Sequence, residues 1–235
     1  MNNYFRAIII LISLVACNLG TTQQPELNSV ITQYPPVPIE ARPPETSDDA
    51  LLEAPVSAHI RDIYALGQAL GNRNAVFSKV GDSITVSNSF LHPLGIGRYN
   101  LGDYAYLDAT IQQFSQQNAN IGNSFINQSI ASREGWSASA VLNPQRANST
   151  YCLADEIPLL CEYRIVRPSI AFIMFGTNDV GYRTVDQYTS DMREIIRLSE
   201  ESGVIPVLST IPNRPDVPQQ VIRFNDVIRI LATEN

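Results

Sequence analysis

Three short motifs in this 235-residue chain carry the residue types that acyl transfer needs. Gly81-Asp82-Ser83 follows the apolar run Ala75-Val76-Phe77, Arg133-Glu134-Gly135-Trp136 follows a weaker run, and Gly176-Thr177-Asn178-Asp179 follows the apolar stretch 169–175. A serine at the exit of a buried strand presents its hydroxyl at the carboxyl edge of a sheet, where open α/β sheets bind ligands. Acyl transfer requires a nucleophile together with hydrogen-bond donors aimed at the developing oxyanion. The Ser83 hydroxyl, the Gly135 backbone N–H and the Asn178 side-chain amide fit those roles. Each motif also has a plain reading. Gly-Asp-Ser is ordinary turn chemistry, Gly135 is a loop glycine, and Gly176 to Asp179 is a turn and cap before a helix.

The elements that must position these motifs follow from hydrophobic period. Ile60, Ile63, Leu66 and Leu70 predict a helix over 58–70, stopped by Gly71-Asn72. Residues 74–80 predict a short buried strand. Leu107, Ile111 and Phe114 predict a helix over 104–117, and 125–130 a second strand whose apolar character Asn127 and Gln128 interrupt. The stretch 169–175 is apolar on both faces, as a central parallel strand requires. A helix over 185–202 ends at Gly203, a strand over 204–211 carries Pro206 near its start, and a helix over 217–232 follows. Strands alternating with helices give an α/β domain with a parallel sheet and right-handed crossovers. The excursion 137–162, with Trp136 at its base and Tyr151 within it, reads equally as a solvent-exposed loop or as a shaper of substrate access.

Gly81 to Ser83 and Gly176 to Asp179, in this order at the ends of two strands, resemble the first and third blocks of the SGNH, or GDSL-type, serine hydrolases. These are esterases and lipases, and the resemblance covers about residues 74–235. The third block, Gly-x-Asn-Asp, is matched without deviation, and Gly135 stands for the lone glycine of the second. The resemblance implies a three-layer α/β/α sandwich with a parallel, flavodoxin-like sheet. It implies Ser83 as nucleophile and an oxyanion hole of the Ser83 N–H, the Gly135 N–H and the Asn178 side chain, supported by Gly81, Asp82, Gly176 and Asp179. The implied substrate is an ester, such as an acylated carbohydrate or lipid, and no metal or organic cofactor is implied.

The family's last block, Asp-x-x-His, supplies the histidine base and its orienting aspartate, and no such pattern occurs here. The two histidines are His59, in the first predicted helix, and His92, in the loop after Ser83. His59 reads as a boundary residue and His92 as a border of the substrate pocket, since loop proximity does not provide the geometry of a base. The expectation is a domain whose C-terminal part, carrying the base, lies beyond residue 235. The alternative is a non-catalytic cell-surface binding domain on the same scaffold. A flavodoxin-like phosphate cradle at Ser83 lacks the glycines and donors of such a loop.

Composition narrows the setting. A formal net charge of -7 and a single lysine, Lys79, argue against nucleic acid, because phosphate binding needs clustered cations. With 44% hydrophobic residues, the length suits one globular domain, placed at 57–235, plus peripheral segments. Arg6 followed by the apolar run 7–16 reads as an export signal, since that run is about half the ~20 residues of a membrane span. Leu14-Val15-Ala16-Cys17 resembles the bacterial lipobox, which implies a lipid on Cys17 and a membrane-tethered mature protein; a general signal peptide that happens to contain Cys17 is the other reading. Both place the protein outside the cytoplasm. The proline-rich segment 18–56 reads as a tether. Cys152 and Cys161 remain, an even number in an oxidising compartment, and read as a disulfide stapling the excursion; two separate buried thiols are the alternative. Their spacing matches neither a redox motif nor a metal site.

Overall fold

The computed structural model describes residues 56–234. The export signal, Cys17 and the proline-rich segment through residue 55 lie outside the described residues. Chain order is α1 (Ala58–Ala69), β1 (Arg73–Gly81), α2 (Ser83–Val86), α3 (His92–Gly95), α4 (Asp108–Ser115), β2 (Asn118–Asn120), β3 (Gly122–Asn123), α5 (Ala138–Val141), α6 (Pro158–Val166), β4 (Pro168–Met174), α7 (Val185–Glu201), β5 (Ile205–Leu208) and α8 (Pro218–Glu234). The fold is mixed α/β: β1, β4 and β5 form a small open sheet, all parallel, with β4 in the centre. β2 and β3 form a separate antiparallel pair. No helix among the described residues is long and apolar enough to cross a membrane.

Alternation along the strands divides the core. Val80, Ala171 and Ile173 join the large cluster that includes Leu159 of α6, Tyr188 and Ile195 of α7 and Phe224 of α8. Phe77, Ile170 and Phe172 point the other way and pack with Ile111 of α4 and with Phe125. Phe77 organises that second cluster, meeting the rings of Phe114, Phe125 and Phe172 edge-on at 5.4, 5.0 and 5.1 Å. Such pairs contribute about 0.5–1.5 kcal/mol each beyond their buried area. α7 starts on a capping box, in which the Thr184 hydroxyl accepts from Gln187 N and the Gln187 amide accepts from Thr184 N.

Several elements depart from the hydrophobic pattern for identifiable reasons. The strand predicted over 125–130 reduces to one parallel bridge between Ser132 and Gly81. Side chains replace the missing ladder: the Ser124 hydroxyl accepts from Phe77 N at 2.9 Å, and Lys79 Nζ donates to Phe125 O at 2.8 Å. Asn123 and Asn127 accept from backbone N–H groups at 125, 126 and 121, so this stretch is built of turns. β5 ends at Leu208 because the Asn225 amide of α8 binds both the N–H and the carbonyl of Ile211. Pro206 is tolerated because β5 is an end strand of the sheet. The helix expected from 104 begins at Asp108, preceded by a 3-10 segment kinked at Tyr104. The excursion also contains a core element, since α6 buries Leu159, Cys161, Glu162, Tyr163 and Val166.

α1 buries Ile63 and Gly67 and leaves Leu66 and Leu70 exposed, against the expected apolar face. Its rotation is fixed by backbone contact, because a Cβ on Gly67 would lie 2.2 Å from the Gly203 carbonyl. Asn72 Nδ2 locks the same junction by donating to the carbonyls of Ser202 and Gly203, each at 2.9 Å. Gly67→Ala is therefore expected to destabilise the protein by about 1–3 kcal/mol through overpacking, although alanine favours helices; urea denaturation measures the loss, and an unchanged midpoint would contradict the contact.

Candidate active site

β1 ends on a three-way backbone junction. Gly81 pairs with Met174 of β4 on one side. On the other, its N–H donates to Ala131 O at 3.2 Å and its carbonyl accepts from Arg133 N at 3.1 Å. Glycine is required there by space, not by a left-handed turn: a Cβ would lie 2.1 Å from the Thr85 hydroxyl and 2.6 Å from the Met174 carbonyl. Asp82 then caps α2, its Oδ1 accepting from Ile84 N at 2.9 Å. Ser83 is the first residue of that one-turn helix and is exposed, while Asp82 is fully buried.

The third motif reaches this junction through Asn178, whose Nδ2 donates to Trp136 O at 2.8 Å and lies 3.5 Å from Asp82 Oδ2. One amide thus spans the first motif and the second. Asp179, buried beside it, accepts from Ala138 N at 3.0 and 3.3 Å and anchors the start of α5. Gly176 has a φ of +128° that disfavours any side chain, and a Cβ there would also meet Ile211 at 2.9 Å. The Tyr188 hydroxyl donates to Phe175 O at 2.8 Å just before the turn. Gly135 lies in the turn closed by Trp136 N donating to Arg133 O, at φ +74° with open space around it. Among the described residues no acceptor takes the N–H of Ser83 or of Gly135.

Burial governs the acids here. It raises the Asp82 carboxyl, opposed by the Ile84 N–H and by the nearby Thr177 hydroxyl, which closes no good hydrogen bond. It pushes Asp179 up to about 6, with the Ala138 N–H opposing. Two residues that the motifs did not mark lie just behind. Glu162 of α6 is fully buried, accepting from the Ser78 hydroxyl and from Ile130 N, each at 2.8 Å, and burial raises its pKa. Lys79 is 7% exposed, and burial lowers its pKa against the attraction of Glu162. The sequence signal for that pair was a lone lysine inside an apolar strand.

The two histidines lie elsewhere. His59 Nε2 bonds Glu200 at 3.1 Å, between α1 and α7. His92 lines a polar cleft with Lys79, Thr85 and Ser129, whose walls do not include Ser83. Cys152 and Cys161 are joined as a disulfide, their Cα atoms 5.3 Å apart. With Glu156 their potential ligand atoms lie within 4.8 Å, but the bridge leaves no thiolate for a metal. Neither a family model nor a curated protein matches this chain.

Folding disfavours ionised Asp179, so the folded state holds that proton more tightly than the unfolded chain. Its contribution to stability is therefore lost as pH rises from about 4 through about 6. Relative to Asp179→Asn, the wild type should lose up to about 3 kcal/mol between pH 4 and pH 7. Urea denaturation of both proteins across that range measures it; parallel pH profiles would contradict the assignment.

Proposed function

We propose that the protein is a serine ester hydrolase of the SGNH type, lipid-anchored outside the cytoplasm through Cys17, with the three-layer α/β/α architecture of that family. One observation carries the reading: Asn178 donates to the Trp136 carbonyl and faces Asp82, so three motifs distant in sequence meet beside an exposed serine. The unengaged N–H groups of Ser83 and Gly135 support it, since an oxyanion hole needs donors that the fold has not already used.

In the proposed reaction the Ser83 hydroxyl attacks the ester carbonyl and its proton passes to a histidine base. The Ser83 and Gly135 N–H groups stabilise the tetrahedral oxyanion, and Asn178 Nδ2 joins them by giving up its long 3.5 Å contact with Asp82 while keeping its bond to Trp136 O. Collapse expels the alcohol, which takes the proton, and water then hydrolyses the acyl-serine by the same sequence. Neither His59 nor His92 hydrogen-bonds Ser83. The reading requires a further histidine, of the kind the family's Asp-x-x-His block provides. A non-catalytic binding domain on this scaffold is favoured only by that same lack of a histidine bonded to Ser83.

Ester turnover decides between the two. In protein that carries a histidine base, Ser83→Ala should abolish hydrolysis of p-nitrophenyl acetate and Asn178→Ala should lower kcat about 100- to 1000-fold. Absence of Ser83-dependent turnover would favour the binding domain. The 235-residue chain by itself should hydrolyse the ester at close to the background rate. An ordinary enzymatic rate from that chain, lost in both Ser83→Ala and His92→Ala, would overturn the assignment of the base and promote His92.

A further inference from the structure

Beside the second motif lies a cleft of about 350 Å³ with Arg133, Trp136, Arg146 and Tyr151 in its walls. It adjoins the candidate active site directly, because Arg133 N bonds the Gly81 carbonyl and the Trp136 carbonyl holds Asn178. Its charge runs against that of the chain. In a protein of net charge -7 the lining contains two arginines and no aspartate or glutamate. Arg164, Arg183, Arg193, Arg197, Arg214 and Arg229 are paired with carboxylates. Arg133 and Arg146, both exposed, make no ion pair or side-chain hydrogen bond among the described residues.

The remaining lining is suited to a sugar. Asn120, Gln128 and Asn148 supply amides, and Tyr151, 47% exposed, adds an aromatic ring to the wall. The Tyr151 wall is held in place from behind. Cys152 is bridged to Cys161 of buried α6, and Arg164 Nη2 donates to Tyr151 O at 2.9 Å while its guanidinium is paired with Glu156. Arginine is suited to bidentate recognition of carboxylates.

We propose that this cleft binds the alcohol portion of the ester and selects an acidic carbohydrate. Arg133 and Arg146 take the sugar carboxylate, the amides take hydroxyls, and Tyr151 packs on the ring. The inference rests on the serine-hydrolase reading for the position of the ester, but binding is measurable without turnover. The chain has one tryptophan, Trp136, so its fluorescence reports on this cleft.

The test is a fluorescence titration of the 235-residue protein with trigalacturonate, neutral galactotriose and inorganic phosphate, checked by calorimetry. Trigalacturonate should bind saturably, and galactotriose at least about 10-fold more weakly. Arg133→Gln and Arg146→Gln should each lose about 10-fold in affinity for trigalacturonate. Arg223→Gln, the same charge change on the exposed face of α8, should lose none. No calorimetric binding, equal binding of the neutral sugar, phosphate binding as tightly as trigalacturonate, or full affinity in both cleft variants would overturn the proposal. A protein that binds trigalacturonate yet hydrolyses no ester fails the esterase reading alone. One that hydrolyses esters without regard to sugar charge fails this inference alone.

Discussion

Gly81 joins two neighbours that approach β1 from opposite sides, β4 through strand pairing and the 131–133 backbone through a pair of hydrogen bonds. The missing side chain lets Thr85 and the Met174 carbonyl close on it. Because both flanks are hydrogen-bonded, the direction in which the chain leaves the strand is not free. Asp82 is delivered into the interior and Ser83 to the surface. The same junction sets where Arg133 begins its turn, and hence where Gly135 and the Trp136 carbonyl stand. Asn178 can bridge the motifs only because those positions are already fixed.

Around this junction the protein accumulates buried acids. Asp82, Asp179 and Glu162 are each almost wholly removed from solvent, and each is satisfied by backbone N–H groups or hydroxyls more than by a full ion pair. An arrangement of that kind leaves the carboxylates costly to ionise but specific in geometry, since removing any donor strands a buried acceptor. Asp179 ties α5 to the third motif, and Glu162 ties α6 to β1 and to the 130 backbone. The excursion is therefore secured to the sheet at its far end by α6, and Tyr151 is anchored to that helix through the disulfide and Arg164.

The parts of this arrangement that were legible in the sequence are those encoded locally. Gly81 to Ser83 and Gly176 to Asp179 are contiguous, and β4 is unmistakable because both its faces are apolar. The strand expected at 125–130 gives way to turns because period alone does not register that Ser124, Asn123 and Asn127 commit their side chains to nearby backbone. The burial of Gly67 in place of Leu66 was invisible for a related reason: close backbone approach leaves no hydrophobic signature. Glu162 sits in an excursion that reads as loop, and its partners come from β1 and residue 130, so only the tertiary structure identifies it. The cleft beside Trp136 likewise gathers residues from 120 to 151, of which only Arg133 and Trp136 belong to a motif.

Lys79 has one more implication. It is the chain's single lysine, and its ammonium is directed inward onto the Phe125 carbonyl. At 7% exposure that amine is nearly withdrawn from solvent, beside the polar cleft that Lys79 lines with His92, and the described surface otherwise carries guanidinium groups, which are far poorer acyl acceptors because they stay protonated. An acyl group carried on Ser83, as the proposed reaction would form, would find no freely exposed lysine amine among the described residues to which it could migrate as a stable amide.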